Sequence, residues 1–377
     1  MNNHLAPTYQ SQFGDYWVLW FAQSNNYSIV EHNFKQLLDV YFIASSTDDF
    51  SSRLNEANPS LPLNDISIQL KAYLDQCHWQ EDSIEAFTPE FSSAHRHIKR
   101  LYGINDNLIQ INYDSELVEK TLHPSIAHLE QFKNIKPSAV FDIYLEDNLL
   151  CLFKDEVLVT AIPKRNYHLL QGKFVMQLLS LIHHKEEEAW LGTFHGSTMS
   201  DGKNAVLFVG NSGKGKSTLC ALLSANGFEL VADDVSPMLY EDRQIYYNPS
   251  AISIKEGAFE ILQPLIDGFE QIPETLFNTS KGKLKYVPCK APSNISHPCK
   301  SIIMVNYEKG AETQLKPISE KLLLETLIPE SWLSPNPLYA EQFLEWLKSV
   351  YFYKLTYSDT KSVVQTVQSH FKGLGKD

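Results

Sequence analysis

Hydrophobic positions along the chain change their period several times, and each change predicts a different kind of element. Residues 14–92 combine short apolar runs such as Tyr16–Ala22 with helical spacing over Val30–Phe42 and Ile66–Cys77, which predicts strand followed by helices. Residues 45–65, between those helices, are polar and locally rich in Pro and Ser. Residues 93–140 are predicted as a helical connector: 92–103 and 124–135 have helical spacing, with a strand over Asn107–Asp114 between them. From Phe141 to Ile162 the pattern alternates with period two, broken at Glu146-Asp147-Asn148 and Lys154-Asp155. That predicts hairpins leading into a mixed sheet, with Gln171–Lys185 as a helix packed on it. After Pro329 the pattern predicts a helix over Ala340–Leu355, then a strand and a final helix capped by Ser358 or Asp359.

The stretch Val206–Cys220, VLFVGNSGKGKSTLC, carries the most specific chemistry. Gly210-x-x-x-x-Gly215-Lys216-Ser217 fits the phosphate-binding loop pattern, with Asn211, Ser212, Gly213, Lys214 and Thr218 completing it. Glycines allow left-handed backbone angles, so that N–H groups turn inward around phosphate oxygens. Lys216 reaches terminal phosphates as a point charge, and the Ser217 hydroxyl is the right length to ligate Mg²⁺. The context is also right: Ala205–Val209 predicts a strand, and Thr218–Asn226 a helix ending at Gly227. A second strand, Phe228–Ala232, ends in Asp233-Asp234. Strand, loop, helix and strand make one βαβ unit with both carboxylates at the ligand-binding edge of the sheet. One carboxylate can hold Mg²⁺ and the other can take a proton, and the pair alone does not say which. Taking Asp201-Gly202 as a two-residue hairpin turn places His195 opposite Phe208, near the transferring phosphate.

His195-Gly196, the loop GNSGKGKST and the run LVADD together resemble the catalytic core of HPr kinase/phosphorylase and its relatives, a group similar to ATP-dependent phosphoenolpyruvate carboxykinases. Asn248–Gly257, Thr279–Pro292 and Tyr307–Ser319 resemble the C-terminal blocks of HPr-kinase-related proteins. The resemblance spans about residues 140 to 370. It implies an α/β P-loop kinase core with a mixed sheet, using ATP and Mg²⁺ to phosphorylate a serine or similar hydroxyl of a peptide or protein. The catalytic group it implies is Asp233, Asp234, His195 and Lys216, with Ser217 on Mg²⁺ and Asp233 or Asp234 as base and metal ligand, of which Asp234 is taken as the metal ligand. Two departures stand out: Thr218 replaces the acidic residue that follows the loop Ser in HPr kinase, and the Arg-Gly-rich segment that engages the protein substrate has no convincing copy. Lys255, Lys281 and Lys283 remain as candidate cationic contacts. A small-molecule kinase and a nucleotide-gated regulatory protein are the alternative functions.

Composition narrows the setting. Residues 1–150 carry 9 Lys/Arg against 20 Asp/Glu, most of the net charge of −13, so nucleic acid is not an expected partner. Five cysteines without metal-like spacing predict free thiols. Apolar runs are too short to span a membrane, and the start MNNHLAPTYQ lacks secretory features, so a cytoplasmic setting without membrane contact is expected. The expected division is residues 1–92 as an α+β accessory domain loosely resembling winged-helix, PqqD-like peptide-recognition modules, 93–140 as connector, and 141–377 as the catalytic domain. HPr kinases form hexamers, so the resemblance also allows a homo-oligomer.

Overall fold

The computed structural model describes residues 3–57, 63–80, 89–132, 135–278 and 282–375. Strands β1 (Tyr9–Phe13), β2 (Tyr16–Phe21) and β3 (Asn26–Glu31) form an antiparallel sheet in that order. Helices α1 (His32–Ile43), α2 (Thr47–Ala57) and α3 (Leu63–Cys77) follow. Leu19, Phe21 and Val30 of the sheet pack with Leu38, Phe42, Phe50, Leu70 and Leu74 of these helices.

Strands β4 (Ile98–Ile104) and β5 (Asn107–Tyr113), helix α4 (Glu116–Ile126), strands β6 (Ala139–Glu146), β7 (Leu149–Lys154) and β8 (Val157–Pro163), and helix α5 (Tyr167–His183) come next. The five strands pair among themselves in chain order, and β5–β6 is the parallel pair because α4 crosses between them. Residues 93–140 are therefore not a helical connector. The stretch expected as helix over 92–103 supplies β4, which folds back on β5 through a turn where Asn105 takes a φ of +52°. Its alternation is masked by Arg100, which pairs with Glu119 of α4 at 2.7 Å. The hairpins over 141–162 likewise belong to this five-stranded sheet and not to the sheet of the loop; α5 packs on them through Leu170, Phe174 and Leu179.

The largest sheet has ten strands. Its elements begin with β9 (Trp190–His195), β10 (Ser197–Ser200), β11 (Ala205–Val209), α6 (Lys216–Ala225), β12 (Glu229–Ala232), β13 (Val235–Leu239) and β14 (Gln244–Tyr246). A small separate sheet follows, from β15 (Ile252–Lys255), helix α7 (Phe259–Leu262), β16 (Thr275–Asn278) and β17 (Gly282–Val287). The chain then returns to the large sheet with β18 (Ser296–Tyr307), β19 (Gln314–Pro317), α8 (Glu320–Leu327), β20 (Trp332–Leu333), α9 (Pro337–Lys348), β21 (Tyr351–Tyr357) and α10 (Thr360–Leu374). The strand order is β12-β10-β11-β18-β14-β13-β9-β20, with β21 pairing β18 and β19. Helix α9 stops at Lys348, short of the expected Leu355, because Tyr351–Tyr357 pairs with β18 as a parallel strand. Asp359 caps α10, its Oδ1 accepting from Ser362 N at 2.7 Å.

Strands β11, β18 and β21 run parallel, and β12 points the same way across the antiparallel β10. Their carboxyl ends thus share one edge, where ligands bind in open α/β sheets. Leu219, Leu222 and Leu223 of α6 and Val363, Val367 and Phe371 of α10 pack in one core. In another, Phe13 and Val18 of the N-terminal sheet lie with Leu323, Leu324, Tyr339 and Phe343 of α8 and α9, and with Leu207 and Ile302 of the ten-stranded sheet. The fold is mixed α/β with parallel and antiparallel pairing. Among the described residues no helix is long and apolar enough to cross a membrane.

Candidate functional site

β11 is buried throughout, and the chain leaves it at Gly210 into a loop that ends where α6 begins. Gly210 (φ +136°) and Gly215 (φ +92°) hold left-handed angles that a side chain would oppose. A Cβ on Gly210 would stand 3.0 Å from the Val305 carbonyl oxygen, and one on Gly215 would stand 2.7 Å from Tyr357 Oη. Both positions therefore need glycine for packing as well as for angle. The loop is tied to the ends of two neighbouring strands: Tyr307 N donates to Lys214 O at 2.9 Å, and Tyr357 Oη donates to Gly215 O at 3.0 Å. Asn211, Ser212, Gly213 and Lys214 are exposed. Lys216 is buried, its Nζ donating to the Gly210 carbonyl across the loop. Ser217 and Thr218 are half-buried in the first turn of α6, where the helix dipole favours negative charge.

The two carboxylates occupy different surroundings. Asp233 is 3% exposed; its Oδ1 accepts from Ser197 Oγ at 2.6 Å and its Oδ2 from Ser253 N at 3.1 Å. Burial, with the neighbouring Asp234 charge second, pushes its carboxyl up to about 7 against the opposing pull of those hydrogen bonds and of Lys216. Asp234 is exposed and takes a φ of +62°, while Val235 N reaches back to Asp233 O at 2.8 Å to close a three-residue turn around it. A non-glycine residue held at such an angle is costly, and such strain concentrates at functional sites. A strap after β14 fixes the turn further: Asn248 N donates to Val231 O and Asn248 Nδ2 to Val235 O, at 2.8 and 2.9 Å.

His195 reaches this edge by a different route from the expected one. Four residues, 201–204, separate Ser200 from its partner Ala205, because the Asp201 carboxylate accepts from both Lys203 N and Asn204 N and so closes a wider turn. Ser197, not His195, consequently lies opposite Phe208. His195 ends β9 opposite Val235, one residue from Asp234, and the next residue, Gly196, donates its N–H to Asp234 O at 3.3 Å. Loop, carboxylates and His195 thus share one sheet edge. Of the candidate lysines, Lys255 contacts the loop, its Nζ donating to Ser212 Oγ at 3.0 Å. Lys283 pairs instead with Glu274 at 2.9 Å, and Lys281 lies outside the described residues. Sequence reasoning missed Ser197 and Tyr357, which reach the site through strand pairing and carry no local motif, and it gave no role to Asn248 and Ser253, although both lie in the Asn248–Gly257 block that carries the resemblance. Among the described residues no group of three or more His, Cys, Asp or Glu is placed to hold a metal ion.

No family model matches the chain, and no curated protein matches it. Among solved structures it is similar to the HPr(Ser) kinase/phosphatase from Coxiella burnetii, at 15% sequence identity over 48% of this chain and 98% of that one. The TM-score of 0.23 is too low for that likeness to bear on fold or activity.

Proposed function

We propose that the protein is an ATP-dependent phosphotransferase that moves the γ-phosphoryl group to a hydroxyl, with a serine of a peptide or protein as the acceptor. The observation that carries this reading is a glycine loop in left-handed geometry at the start of α6, beside a buried, doubly hydrogen-bonded carboxylate at the end of the next strand, β12. The N–H groups of residues 211–217 and the Lys216 cation are suited to hold the phosphates. Ser217 on the first turn of α6 and the exposed Asp234 fit Mg²⁺, which is usually bound by one or two protein oxygens together with substrate phosphates. Bound there, Mg²⁺ would neutralise charge on the phosphate oxygens.

Asp233 is the group suited to accept the acceptor hydroxyl's proton. As that oxygen bonds to phosphorus, the bond from phosphorus to the ADP oxygen breaks and ADP leaves with the electron pair. A carboxyl raised toward 7 is a stronger base than an ordinary aspartate while still partly ionised at neutral pH. The register of His195 opposite Val235 supports a part for it in the proton's movement, and the Lys255 contact with Ser212 supports a positive charge added at the loop. A nucleotide-gated switch needs a metal ligand but not a second, buried carboxylate, so Asp233 favours transfer over gating. The peptide or protein acceptor rests on the sequence resemblance.

The test is calorimetric titration with Mg·ATP together with phosphate release. Lys216→Ala is expected to weaken both by at least about a hundredfold, the loss of a charge-assisted contact at a preorganised site. Its unfolding temperature should change little. Full ATP affinity in that variant would overturn the assignment of the loop.

A further inference from the structure

Nothing in the loop motif or the carboxylate pair calls for a hydroxyl at position 197. Yet the Ser197 side chain makes the shortest contact of the Asp233 carboxylate, at 2.6 Å to Oδ1. With Ser253 N at 3.1 Å from Oδ2, the carboxylate is gripped at both oxygens by two different strands, β10 and β15. Ser197 is itself fixed. At Gly196 the chain is pressed so closely on β11 that a Cβ would stand 2.7 Å from the Phe208 carbonyl oxygen. The Gly196 carbonyl accepts from Ser236 Oγ at 2.9 Å, and the hydroxyls of Ser236 and Thr198 lie 2.7 Å apart. Ser197, Thr198 and Ser236 all have zero exposure, so the Ser197 hydroxyl has no solvent to turn to.

We propose that Ser197 is a positioning residue for phosphoryl transfer. Its hydroxyl holds Asp233 in one rotamer, leaving the remaining carboxylate lone pairs aimed at the acceptor's proton. The assignment rests on the function proposed above, but it adds a residue that neither the loop pattern nor the carboxylate pair contains. Preorganisation of this kind matters because misplacing a base by a fraction of an ångström costs rate without costing substrate affinity.

The experiment compares wild type, Ser197→Ala, Asp233→Asn and the double variant, measuring ATP turnover as phosphate release at saturating Mg·ATP, with water taking the place of the acceptor hydroxyl and giving its proton to Asp233, and the Kd of a fluorescent ATP analogue. Ser197→Ala is expected to lower turnover by about ten- to a hundredfold, the scale for removing a hydrogen bond to a charged group. The analogue's Kd should stay within about twofold. In the Asp233→Asn background the same change should cost almost nothing, because the hydroxyl acts through that carboxylate. Turnover unaffected by Ser197→Ala, or an equal loss in both backgrounds, would overturn the positioning role alone. Wild-type protein that neither binds nor turns over ATP would overturn the functional reading and this assignment with it. Should Ser197→Ala fail to fold, Ser197→Cys, of similar size and with a weaker donor, makes the same comparison: reduced turnover at unchanged Kd supports the role, and unchanged turnover removes it.

Discussion

The N-terminal sheet and the loop-bearing edge of the ten-stranded sheet solve opposite problems. In the first, nearly every inward residue serves packing: Leu19 and Phe21 face the helices α1–α3, and Phe13 and Val18 join the core built by α8 and α9. The buried charge there, Lys35, is matched at once by Asp39 four residues on. At the loop edge, by contrast, an aspartate is buried with no cationic partner in hydrogen-bonding contact among the described residues, another residue is held at a strained angle, and a lysine is sequestered under a carbonyl. The contrast teaches where stability is made and where it is given up, since buried charge and strain persist only if the surroundings over-determine them.

The most severe way to break the comparison is to remove its stable half. Deleting residues 1–92 strips Phe13 and Val18 from a core they share with the ten-stranded sheet, so the remainder is expected to lose soluble expression. A soluble truncated protein with an unchanged unfolding temperature would show that this interface contributes little. Next in size is Asp233→Asn, expected to cut phosphate release by at least about a hundredfold through loss of the base. The same change should raise stability. Because the folded carboxyl titrates near 7, above its ordinary 3.8, its contribution to stability is complete below the ordinary value and is lost as pH rises toward 7. The gain in unfolding temperature from Asp233→Asn should therefore be largest above pH 7 and vanish toward pH 4, as a calorimetric series would record.

Smaller, and opposite in character, is Phe343→Ala. Phe343 stacks near Phe194 of β9 and meets Tyr27 of the N-terminal sheet edge-on at 5.6 Å. Its loss should cost about 3–5 kcal/mol in denaturant unfolding, typical of a buried aromatic, while ATP affinity holds. Smallest of all is Lys283→Ala, which breaks only an exposed pair with Glu274 and should leave both stability and turnover within experimental scatter.

The loop region was the more legible of the two halves. A buried strand, spaced glycines, a helix and a second strand ending in carboxylates are all local signals, and β11, α6 and β12 stand within about two residues of expectation. What escaped were contacts set by register. A two-residue turn at Asp201-Gly202 was reasonable, but the Asp201 carboxylate captures two N–H groups and lengthens it, moving Ser197 into the place expected for His195. The middle of the chain was misread for a related reason. Arg100 occupies an inward position in β4 that looks polar until Glu119 of α4 is known to meet it. Partners distant in sequence decide such positions, and one chain's pattern cannot display them.

The hydroxyl of Tyr357 touches Gly215, 142 residues earlier in the chain. This single contact gives the protein an order of completion. During synthesis, the glycine loop, both aspartates and His195 leave the ribosome long before β21 does. Until that strand lies beside β18, Gly215 lacks its clamp and the loop lacks one wall. The Tyr357–Gly215 contact closes a loop of 142 residues and needs β21 paired in parallel with β18 first, so it forms late, because loop closure must precede its reward. The nascent chain is thus expected to carry an unfinished loop from the synthesis of Gly215 until β21 and α10 are in place.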